Sequence, residues 1–307
     1  MDVDPAMAQA LTDSSTDLMQ TDGINGFDIG LDDSDEPTIR ILVADPDNPP
    51  PGLPETLGDF PVLVIEGTPT MFAAPDDAKY DTVVGGVEVA QSTSGTVGHG
   101  SGTLGCVLRD AVTSDPVGIS CTHVLAGMDP TAIFSQDEIW QPNALGARVG
   151  ALLRWEIPST PPFNPGGWPS GMWDAAVCSM ERTALVGEIA EIGSVTGFGS
   201  AGLGDRVCKR GRTTRLTYGT VGGLFGAYLL VHPTLPYGWW MIGQMEIKII
   251  PDVSLNPDGL FALGGDSGSM VVNDANEIVG LLHGGGNGTT GYATDFGPLA
   301  IKLGVTL

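Results

Sequence analysis

The chain has 307 residues, of which 42% are hydrophobic and 16% charged, and its formal net charge at pH 7 is −24. This composition is typical of a folded protein and excludes a disordered one. The negative charge disfavours binding to nucleic acid or to an anionic membrane surface. No apolar run reaches about 18 residues, so we expect no membrane-spanning helix.

The acidic residues are concentrated near the N-terminus. Residues 1–90 contain 19 of the 37 Asp and Glu, against only Arg40 and Lys79. We interpret this as a well-solvated surface, because no calcium-loop pattern occurs there. No C-x-x-C pair occurs either, so we predict no metal and no cofactor. The four cysteines are Cys106, Cys121, Cys178 and Cys208. We expect Cys208 to be a free thiol and the other three to be small core residues. A disulfide between Cys106 and Cys121 is an alternative.

The N-terminal residues predict a small unit of their own. Residues 1–20 favour a short helix or a frayed end, and residues 24–31 form an apolar run. Residues 38–44 and 60–65 are rich in β-branched side chains and predict strands, with a proline-rich connector between them. We therefore expect a small, acidic α+β accessory unit over residues 1–82.

From about residue 83 the pattern changes to short strand-like runs separated by Gly, Asp, Asn and Pro. No long amphipathic helix interrupts them, which predicts an all-β sandwich or pair of barrels. Near the C-terminus, residues 296–303 predict a short helix that begins near Thr294 or Asp295. The predicted strands are residues 104–108, 117–121, 175–180, 220–225, 241–250, 269–272 and 278–282.

Three polar residues at the edges of predicted strands suggest a nucleophilic site. They are His123 in ISCTHVLAG, Asp174 in MWDAAVCSM and Ser267 in LGGDSGSMVV. A serine hydroxyl needs an adjacent base, imidazole can accept and return its proton, and a buried carboxylate orients the imidazole. The fold would have to bring them together.

The run GGDSG supplies the fourth part of such a site. Its glycines allow the amides of Gly265 and Ser267 to point at one oxyanion. The order His, Asp, Ser differs from that of α/β-hydrolases, and Ser269 breaks the G-x-S-x-G elbow of that class.

Together these segments resemble the chymotrypsin-like serine proteases, in particular the bacterial alpha-lytic protease and streptogrisin type. Residues 207–214 (VCKRGRTT) and 219–221 (GTV) are similar to the C-x-x-G-R-T-T…G-T-I segment of that type. Residues 283–287 (HGGGN) resemble its S-G-G-N substrate-binding strand, and residues 83–86 (VVGG) resemble the I-V-G-G that opens many mature members.

The resemblance implies two six-stranded antiparallel Greek-key β-barrels. Residues 83–190 would form the first barrel, with His123 and Asp174, and residues 191–307 the second, with Ser267. It also implies a serine endopeptidase that acts on peptide or protein substrates. The front residues are more weakly similar to bacterial relatives of the plant narrow-leaf protease.

The resemblance also implies a substrate-binding region. Gly264, Gly284 and Gly285 would contact the substrate backbone. Phe261 falls at the base of the primary specificity pocket, so we expect a preference for neutral or apolar residues there. His283 stands where the family commonly has a serine that touches the catalytic aspartate. We therefore expect His283 either to act on the site, as a partner of Asp174 or a modifier of the pocket, or to be a structural histidine whose ring is satisfied by backbone groups.

Asp266 is expected to lie buried beside the oxyanion loop and to need a positive partner. In activated zymogens of the family that partner is a new N-terminus, which here would be Val83. In the bacterial type it is a basic side chain, which points to Lys209, Arg210 and Arg212. We favour the basic cluster, because no Lys or Arg directly precedes Val83.

Several alternatives remain open. The chain could be a non-catalytic binding or scaffolding protein on the same fold, or a metal-dependent hydrolase using His123 and Asp174. Residues 1–82 could be a removable pro-region or a permanent unit that mediates homo-oligomer contacts; we favour the permanent unit. The absence of a secretory leader and of the family disulfides favours the cytoplasm, with export by another route open. We interpret His99 and His232 as structural or exposed.

Overall fold

The computed structural model describes residues 3–32, 34–67, 76, 78–92, 101–127, 137–142, 146–158, 169–231 and 238–307. The interpretations of His99 and His232 therefore fall outside the described residues. Strands dominate and helices are few. The predicted all-β fold of two barrel-like sheets is confirmed. Within the described ranges, no helix is long and apolar enough to span a membrane.

The N-terminal residues form a helix followed by four strands. Helix α1, Pro5–Gln20, begins where Asp4 accepts a hydrogen bond from the amide of Ala6, and Pro5 has no amide hydrogen to leave unpaired. The helix buries Met7, Leu11 and Leu18. The strands are β1 (Ile24–Leu31), β2 (Pro37–Val43), β3 (Thr56–Leu57) and β4 (Phe60–Glu66).

The middle of the chain forms short strands and one helical turn. These are β5 (Val83–Gly85), β6 (Glu88–Ser92), β7 (Ser101–Thr103), β8 (Cys106–Asp110), β9 (Pro116–Ser120), α2 (Thr122–Leu125), β10 (Glu138–Gln141), β11 (Ala147–Glu156), β12 (Ser170–Gly171), β13 (Ala175–Ser179) and β14 (Ala184–Ile189). The four cysteines of the chain are free thiols.

The C-terminal part contains two long strands. Its elements are β15 (Gly193–Ser194), β16 (Gly197–Phe198), β17 (Arg206–Gly211), β18 (Arg215–Val231), β19 (Gly238–Ile249), β20 (Met270–Asn273), β21 (Glu277–Gly286), β22 (Thr290–Asp295), α3 (Phe296–Leu303) and β23 (Val305–Thr306). Helix α3 has the predicted bounds, because Asp295 caps its first turn through the amide of Gly297 and Gly304 ends it with a φ of 63°.

The strands of the described ranges form two large sheets and a small one. The first large sheet has eight strands in the order β23-β8-β9-β13-β11-β10-β6-β7. The second has twelve, in the order β12-β19-β22-β21-β20-β17-β18-β1-β2-β4-β3, with β16 beside β21. Each large sheet has more than the six strands predicted for a barrel, because additional short strands are included. The second sheet also includes the N-terminal strands β1 to β4. The predicted boundaries at residues 82 and 190 stay predictions.

A buried charge cluster ties the front strands to the twelve-stranded sheet. Arg40 on β2 is 1% exposed and donates to both carboxylate oxygens of Asp28 on β1, each at 2.7 Å. It also contacts Glu246 on β19, and Tyr228 on β18 donates to Asp28. Burial and Asp28 raise the pKa of Glu246, and Arg40 opposes this shift. The front strands therefore share buried charges with the sheet that carries Ser267.

Candidate active site

His123 and Asp174 lie at the ends of two neighbouring strands. β9 and β13 pair antiparallel, with Ser120 opposite Ala176. The end of β9 therefore lies beside the start of β13. Helix α2 follows β9 and carries His123, while Asp174 directly precedes β13. The register of one antiparallel pair thus brings together two residues that are 51 positions apart.

The contact between His123 and Asp174 fixes the orientation of the imidazole. Nδ1 of His123 lies 2.5 Å from Oδ2 of Asp174, and the amide of His123 donates to Oδ1 at 3.1 Å. Burial alone would raise the pKa of Asp174, but the charge and hydrogen bonds of His123 hold it below its usual range. Asp174 is therefore ionised at neutral pH. Nδ1 of His123 carries the hydrogen, so Nε2 can act as a base.

Ser267 lies in a tight loop that packs against the strand next to His123. Its carbonyl oxygen accepts a hydrogen bond from the amide of Thr103 on β7 at 2.8 Å. A Cβ added to Gly102 on the same strand would lie 2.9 Å from that carbonyl oxygen and 2.4 Å from Cγ2 of Val124. Gly102 is therefore enclosed between Ser267 and the residue that follows His123.

The hydroxyl of Ser267 forms a hydrogen bond to a backbone carbonyl and not to the imidazole. It donates to the carbonyl oxygen of His283 at 3.2 Å, and among the described residues no hydrogen bond joins Ser267 to His123. The structure thus places the three predicted catalytic residues in one region but bonds only His123 to Asp174. Rotation of the Ser267 side chain to another staggered position would redirect its hydroxyl.

The two amides predicted to bind an oxyanion have no described acceptor, and hydrogen bonds to neighbouring carbonyls fix their orientation. No described residue accepts a hydrogen bond from the amide of Gly265 or of Ser267. The hydroxyl of Thr213 binds the carbonyl of Gly264, and the hydroxyl of Ser269 binds the carbonyl before Ser267 at 2.6 Å. Because the C=O and N–H of a trans peptide point in opposite directions, these bonds orient both amides.

The side chain of Asp266 anchors this loop from below. It is fully buried and accepts from Nζ of Lys209 at 3.2 Å and from the hydroxyl of Thr214 at 2.7 Å. The amides of Leu263 and Thr213 donate to it at 2.9 and 2.8 Å. Burial lowers the pKa of Lys209, and the charge of Asp266 opposes this shift. The carboxylate is thus held by a cation and several neutral donors.

Lys209 is the predicted cation that contacts Asp266 within the described ranges. Val83, the alternative partner after chain cleavage, lies in β5, where its amide donates to the carbonyl of Thr183 at 2.9 Å. In the intact chain the ion pair of Asp266 therefore needs no new N-terminus.

The expectation that Arg210 and Arg212 share in this ion pair is wrong. Successive side chains of a strand point to opposite faces, so Arg210 points away from the face that Lys209 uses. Its guanidinium binds Asp76 at 2.5 Å. Arg212 follows the end of β17 and binds Glu88 at 3.2 Å. Both arginines are nearly buried, so the cluster joins distant segments and is not a solvated face.

The ring of His283 is held by a glutamine. Nε2 of His283 lies 2.8 Å from Oε1 of Gln244. The amide nitrogen of Gln244 donates to the carbonyls of Met172 at 2.9 Å and Ile242 at 2.6 Å, so its oxygen faces the imidazole. Nε2 of His283 therefore carries the hydrogen. Its Nδ1 is buried and has no partner among the described residues.

The ring of His283 matches neither a hydrogen-bonded partner of Asp174 nor a histidine satisfied by backbone groups, and its role as a modifier of the pocket stays a prediction. Among the described residues, the hydrogen-bond partner of the ring is the side chain of Gln244, and not Asp174 or a backbone group. Burial lowers the pKa of His283 to about 4, although Asp174 opposes this shift. His283 is therefore neutral at neutral pH, and its carbonyl oxygen is the group that contacts Ser267.

The strand that carries His283 loses its described strand partner on one side near Ser267. β20 pairs with β21 only as far as Leu281, while the other side of β21 pairs with β22 through Gly284 and Gly285. Within the described ranges, no strand covers Gly284 and Gly285 on the side nearer Ser267. Both glycines are nevertheless buried in the structure.

Phe261 lies deep in the second half. Its side chain is fully buried, and a Cβ added to Gly291 would lie 2.6 Å from the ring. Its carbonyl accepts from the hydroxyl of Thr217 at 2.7 Å. These contacts bury the Phe261 ring in the apolar core. Its position at the base of a specificity pocket and its role in substrate selection stay predictions.

One group of described residues has ligand atoms close enough to suggest a metal. Atoms of Cys121, His123 and Asp174 lie within 4.8 Å of one another. The geometry does not suit an ion, because Nδ1 of His123 and Oδ2 of Asp174 already contact each other. Burial also raises the pKa of Cys121 well above its usual value, whereas a metal ligand must be a thiolate.

The residues that hold the site in place give weak signals or none in the sequence. Thr213 lies inside the R-T-T segment, in which only the basic residues carry a prediction. Gln244 had a weak signal, since it is a polar residue within the apolar run MIGQMEIKII. Thr103 and Ser269 had none, because hydroxyl residues are common near strand ends.

Comparisons with known proteins identify structural likeness at low identity. No protein-family model and no curated protein matches the sequence. The Nocardiopsis protease NAPase is 18% identical, with 74% of this chain and 98% of that chain covered and a TM-score of 0.48. Thermobifida fusca protease A is 17% identical, with the same coverage and a TM-score of 0.49. A glutamic acid specific serine protease is 16% identical, with 73% and 100% covered and a TM-score of 0.48.

These similar solved structures are proteases, but at this identity and TM-score the likeness carries no conclusion about the activity of this chain. Because the identities and TM-scores are low, any functional interpretation of His123, Asp174 and Ser267 rests on their own contacts.

Proposed function

We propose that this chain is a serine endopeptidase that cleaves peptide bonds through an acyl-enzyme on Ser267. The observation that carries the proposal is the bonded pair of His123 and Asp174 beside a loop whose amides, at Gly265 and Ser267, are unpaired and oriented. This is the set of groups that acyl transfer requires: a nucleophile, a base with its orienting carboxylate, and oxyanion donors.

The reaction begins when the Ser267 hydroxyl turns from the His283 carbonyl toward Nε2 of His123. As Oγ attacks the substrate carbonyl, Nε2 takes its proton, and the amides of Gly265 and Ser267 bind the oxyanion. His123 then gives the proton to the leaving amine, and the acyl-enzyme forms. Water then attacks the acyl-enzyme carbonyl while His123 again takes the proton as base. His123 returns this proton to Oγ, so the carboxylic acid product and free Ser267 are released. Asp174 stays ionised throughout.

The substrate would be an extended peptide that pairs with β21 at Gly284 and Gly285 once these buried residues become accessible. We propose a neutral or apolar side chain at the cleaved position, because Phe261 brings no negative charge to the predicted pocket base. A peptide-library cleavage profile tests this. A profile dominated by Arg and Lys would contradict it.

A second candidate is a non-catalytic binding protein on the same fold. The hydrogen bond from Ser267 to the His283 carbonyl favours it, because the hydroxyl bonds a carbonyl instead of the proposed base. Catalytic hydrogen bonds are often absent without substrate, however, so this geometry is also compatible with a protease.

Reaction with a fluorophosphonate probe separates the two candidates. We expect the wild type to be labelled at Ser267, with labelling abolished in Ser267→Ala and strongly slowed in His123→Ala. Ser254→Ala serves as the matched control, because Ser254 is exposed and outside the site. Failure to label a folded wild type at Ser267 would favour the binding protein.

We further propose that residues 1–82 remain in the mature enzyme. The pairing of β1 with β18 and the contact of Arg40 with Glu246 support this, since removal would expose one strand edge and leave Glu246 without its guanidinium. Intact-mass measurement of the active form tests it. Loss of these residues from the active form would contradict it.

A further inference from the structure

We propose that Gln244 is a positioning residue that links the part of the site bearing Asp174 to the part bearing Ser267. This inference rests on the proposed protease function. Gln244 lies on β19 with 1% of its surface exposed, and its side chain forms four hydrogen bonds. Two of them lead toward different members of the site.

The first link runs through the amide nitrogen of Gln244 to the carbonyl of Met172 at 2.9 Å. Met172 lies two residues before Asp174, between β12 and β13. β12 also pairs parallel with β19, with Ser170 opposite Trp240. Gln244 therefore holds the segment that leads into the catalytic carboxylate.

The second link runs through the amide oxygen of Gln244 to Nε2 of His283 at 2.8 Å. The register between β21 and β22 shifts at this point, between Leu282 and Gly284. His283 accordingly has no cross-strand partner on β22, and its side-chain bond to Gln244 takes on the task of holding it. The carbonyl of His283 is the group that accepts from Ser267.

The direction of the Gln244 amide is fixed on both sides. Its nitrogen donates to the carbonyls of Met172 and Ile242, and its oxygen accepts from His283 and from the hydroxyl of Thr294 at 2.7 Å. Flipping the amide would place a donor against the hydroxyl and imidazole hydrogens and an oxygen against two carbonyls. One buried amide thus orients both neighbours at once.

Gln244→Leu tests the link, with Gln141→Leu as the matched control. Gln141 is also a buried strand glutamine with a backbone donor and acceptor, but it binds Tyr80 and Ala78 and none of the site residues. We expect Gln244→Leu to lower kcat for peptide hydrolysis about 10- to 100-fold with KM changed less than about threefold. We expect Gln141→Leu to keep the wild-type kcat. Equal kcat in the two variants would overturn the proposal.

Histidine NMR supplies a readout that does not depend on activity. The chain has only four histidines, so ¹⁵N-histidine labelling gives a simple spectrum. In the wild type we expect His283 to show the neutral Nε2–H tautomer and His123 a strongly deshielded Nδ1 proton. In Gln244→Leu both signals should change, and in Gln141→Leu neither should. Unchanged signals in Gln244→Leu would overturn the link even if the protein had no protease activity.

Gln244→Glu keeps the proposal testable if Gln244→Leu does not fold. The carboxylate of this variant retains the acceptor for His283 and Thr294 but lacks the N–H that holds Met172. We expect the His283 tautomer to persist while kcat falls. A wild-type kcat would overturn the link through Met172. A wild type that fails to react with the fluorophosphonate would instead refute the protease function, which the NMR comparison distinguishes from failure of the link.

Discussion

The buried pair of Lys209 and Asp266 makes a quantitative prediction for Lys209→Met. The substitution keeps a long apolar side chain and removes the charge. Asp266 would keep its bonds to the amides of Leu263 and Thr213 and to Thr214, but it would be a buried carboxylate without a cation. Breaking a buried pair from one side costs about 3–5 kcal/mol, so we expect the free energy of unfolding to fall by about that amount.

The assay is guanidinium chloride unfolding combined with peptide hydrolysis. Arg148→Met is the control, because Arg148 pairs with Glu138 and Glu181 at the surface and its loss should cost less than about 1 kcal/mol. We also expect kcat of folded Lys209→Met to fall by up to about 100-fold, since the loop with the oxyanion amides loses its anchor.

The double variant Lys209→Met/Asp266→Asn separates charge from packing. With both charges gone, the unpaired carboxylate is absent, and part of the lost stability should return. If Lys209→Met unfolds at the same denaturant concentration as Arg148→Met, or keeps the wild-type kcat, the anchoring role assigned to the pair is refuted.

Three further predictions concern the same core. Gly265→Ala should lower kcat by about 10²–10³, measured by peptide hydrolysis, because the position has a φ of 91° and the new Cβ would lie 2.6 Å from Oγ1 of Thr213; a wild-type rate would contradict this. Folding lowers the pKa of His283 from 6.5 to about 4, so the folded protein favours the neutral ring. The free energy of unfolding should therefore be highest above pH 6.5 and fall by about 3 kcal/mol between pH 6.5 and pH 4. Denaturant titrations across that range should show a shallower decline for His283→Gln, and parallel curves would refute the assignment. Arg40→Met should lower the free energy of unfolding by about 3–5 kcal/mol by leaving Asp28 and Glu246 without their cation, and an unchanged unfolding midpoint would contradict this.

Local sequence signals predicted the elements whose start and end are set locally. Residues 38–44 and 60–65 become β2 and β4 within one or two positions, because their β-branched residues favour extended chain. Helix α3 has its predicted bounds because Asp295 and Gly304 cap it. β18 is much longer than the predicted 220–225, since its glycines interrupt the pattern while its register shifts absorb the irregularity.

The sequence motifs select candidate site residues, but they report few of the contacts that those residues make. His123, Asp174 and Ser267 were chosen from their flanking motifs, and the pairing of β9 with β13 accounts for the closeness of the first two. Sequence patterns leave three basic residues as possible partners of Asp266. The choice depends on which face of β17 each side chain occupies and on carboxylates from distant segments that bind the two arginines. The rotamer of Ser267 depends on the His283 carbonyl, a long-range contact that sequence patterns do not report.

The structure of the protein after reaction with a diphenyl or alkyl fluorophosphonate tests the catalytic assignment most directly. We expect a bond from Oγ of Ser267 to phosphorus, with that oxygen turned away from the His283 carbonyl. A phosphoryl oxygen should accept from the amides of Gly265 and Ser267, and Nε2 of His123 should lie within hydrogen-bond distance of the adduct. An unmodified Ser267, or an adduct whose oxygen points away from both amides, would contradict it.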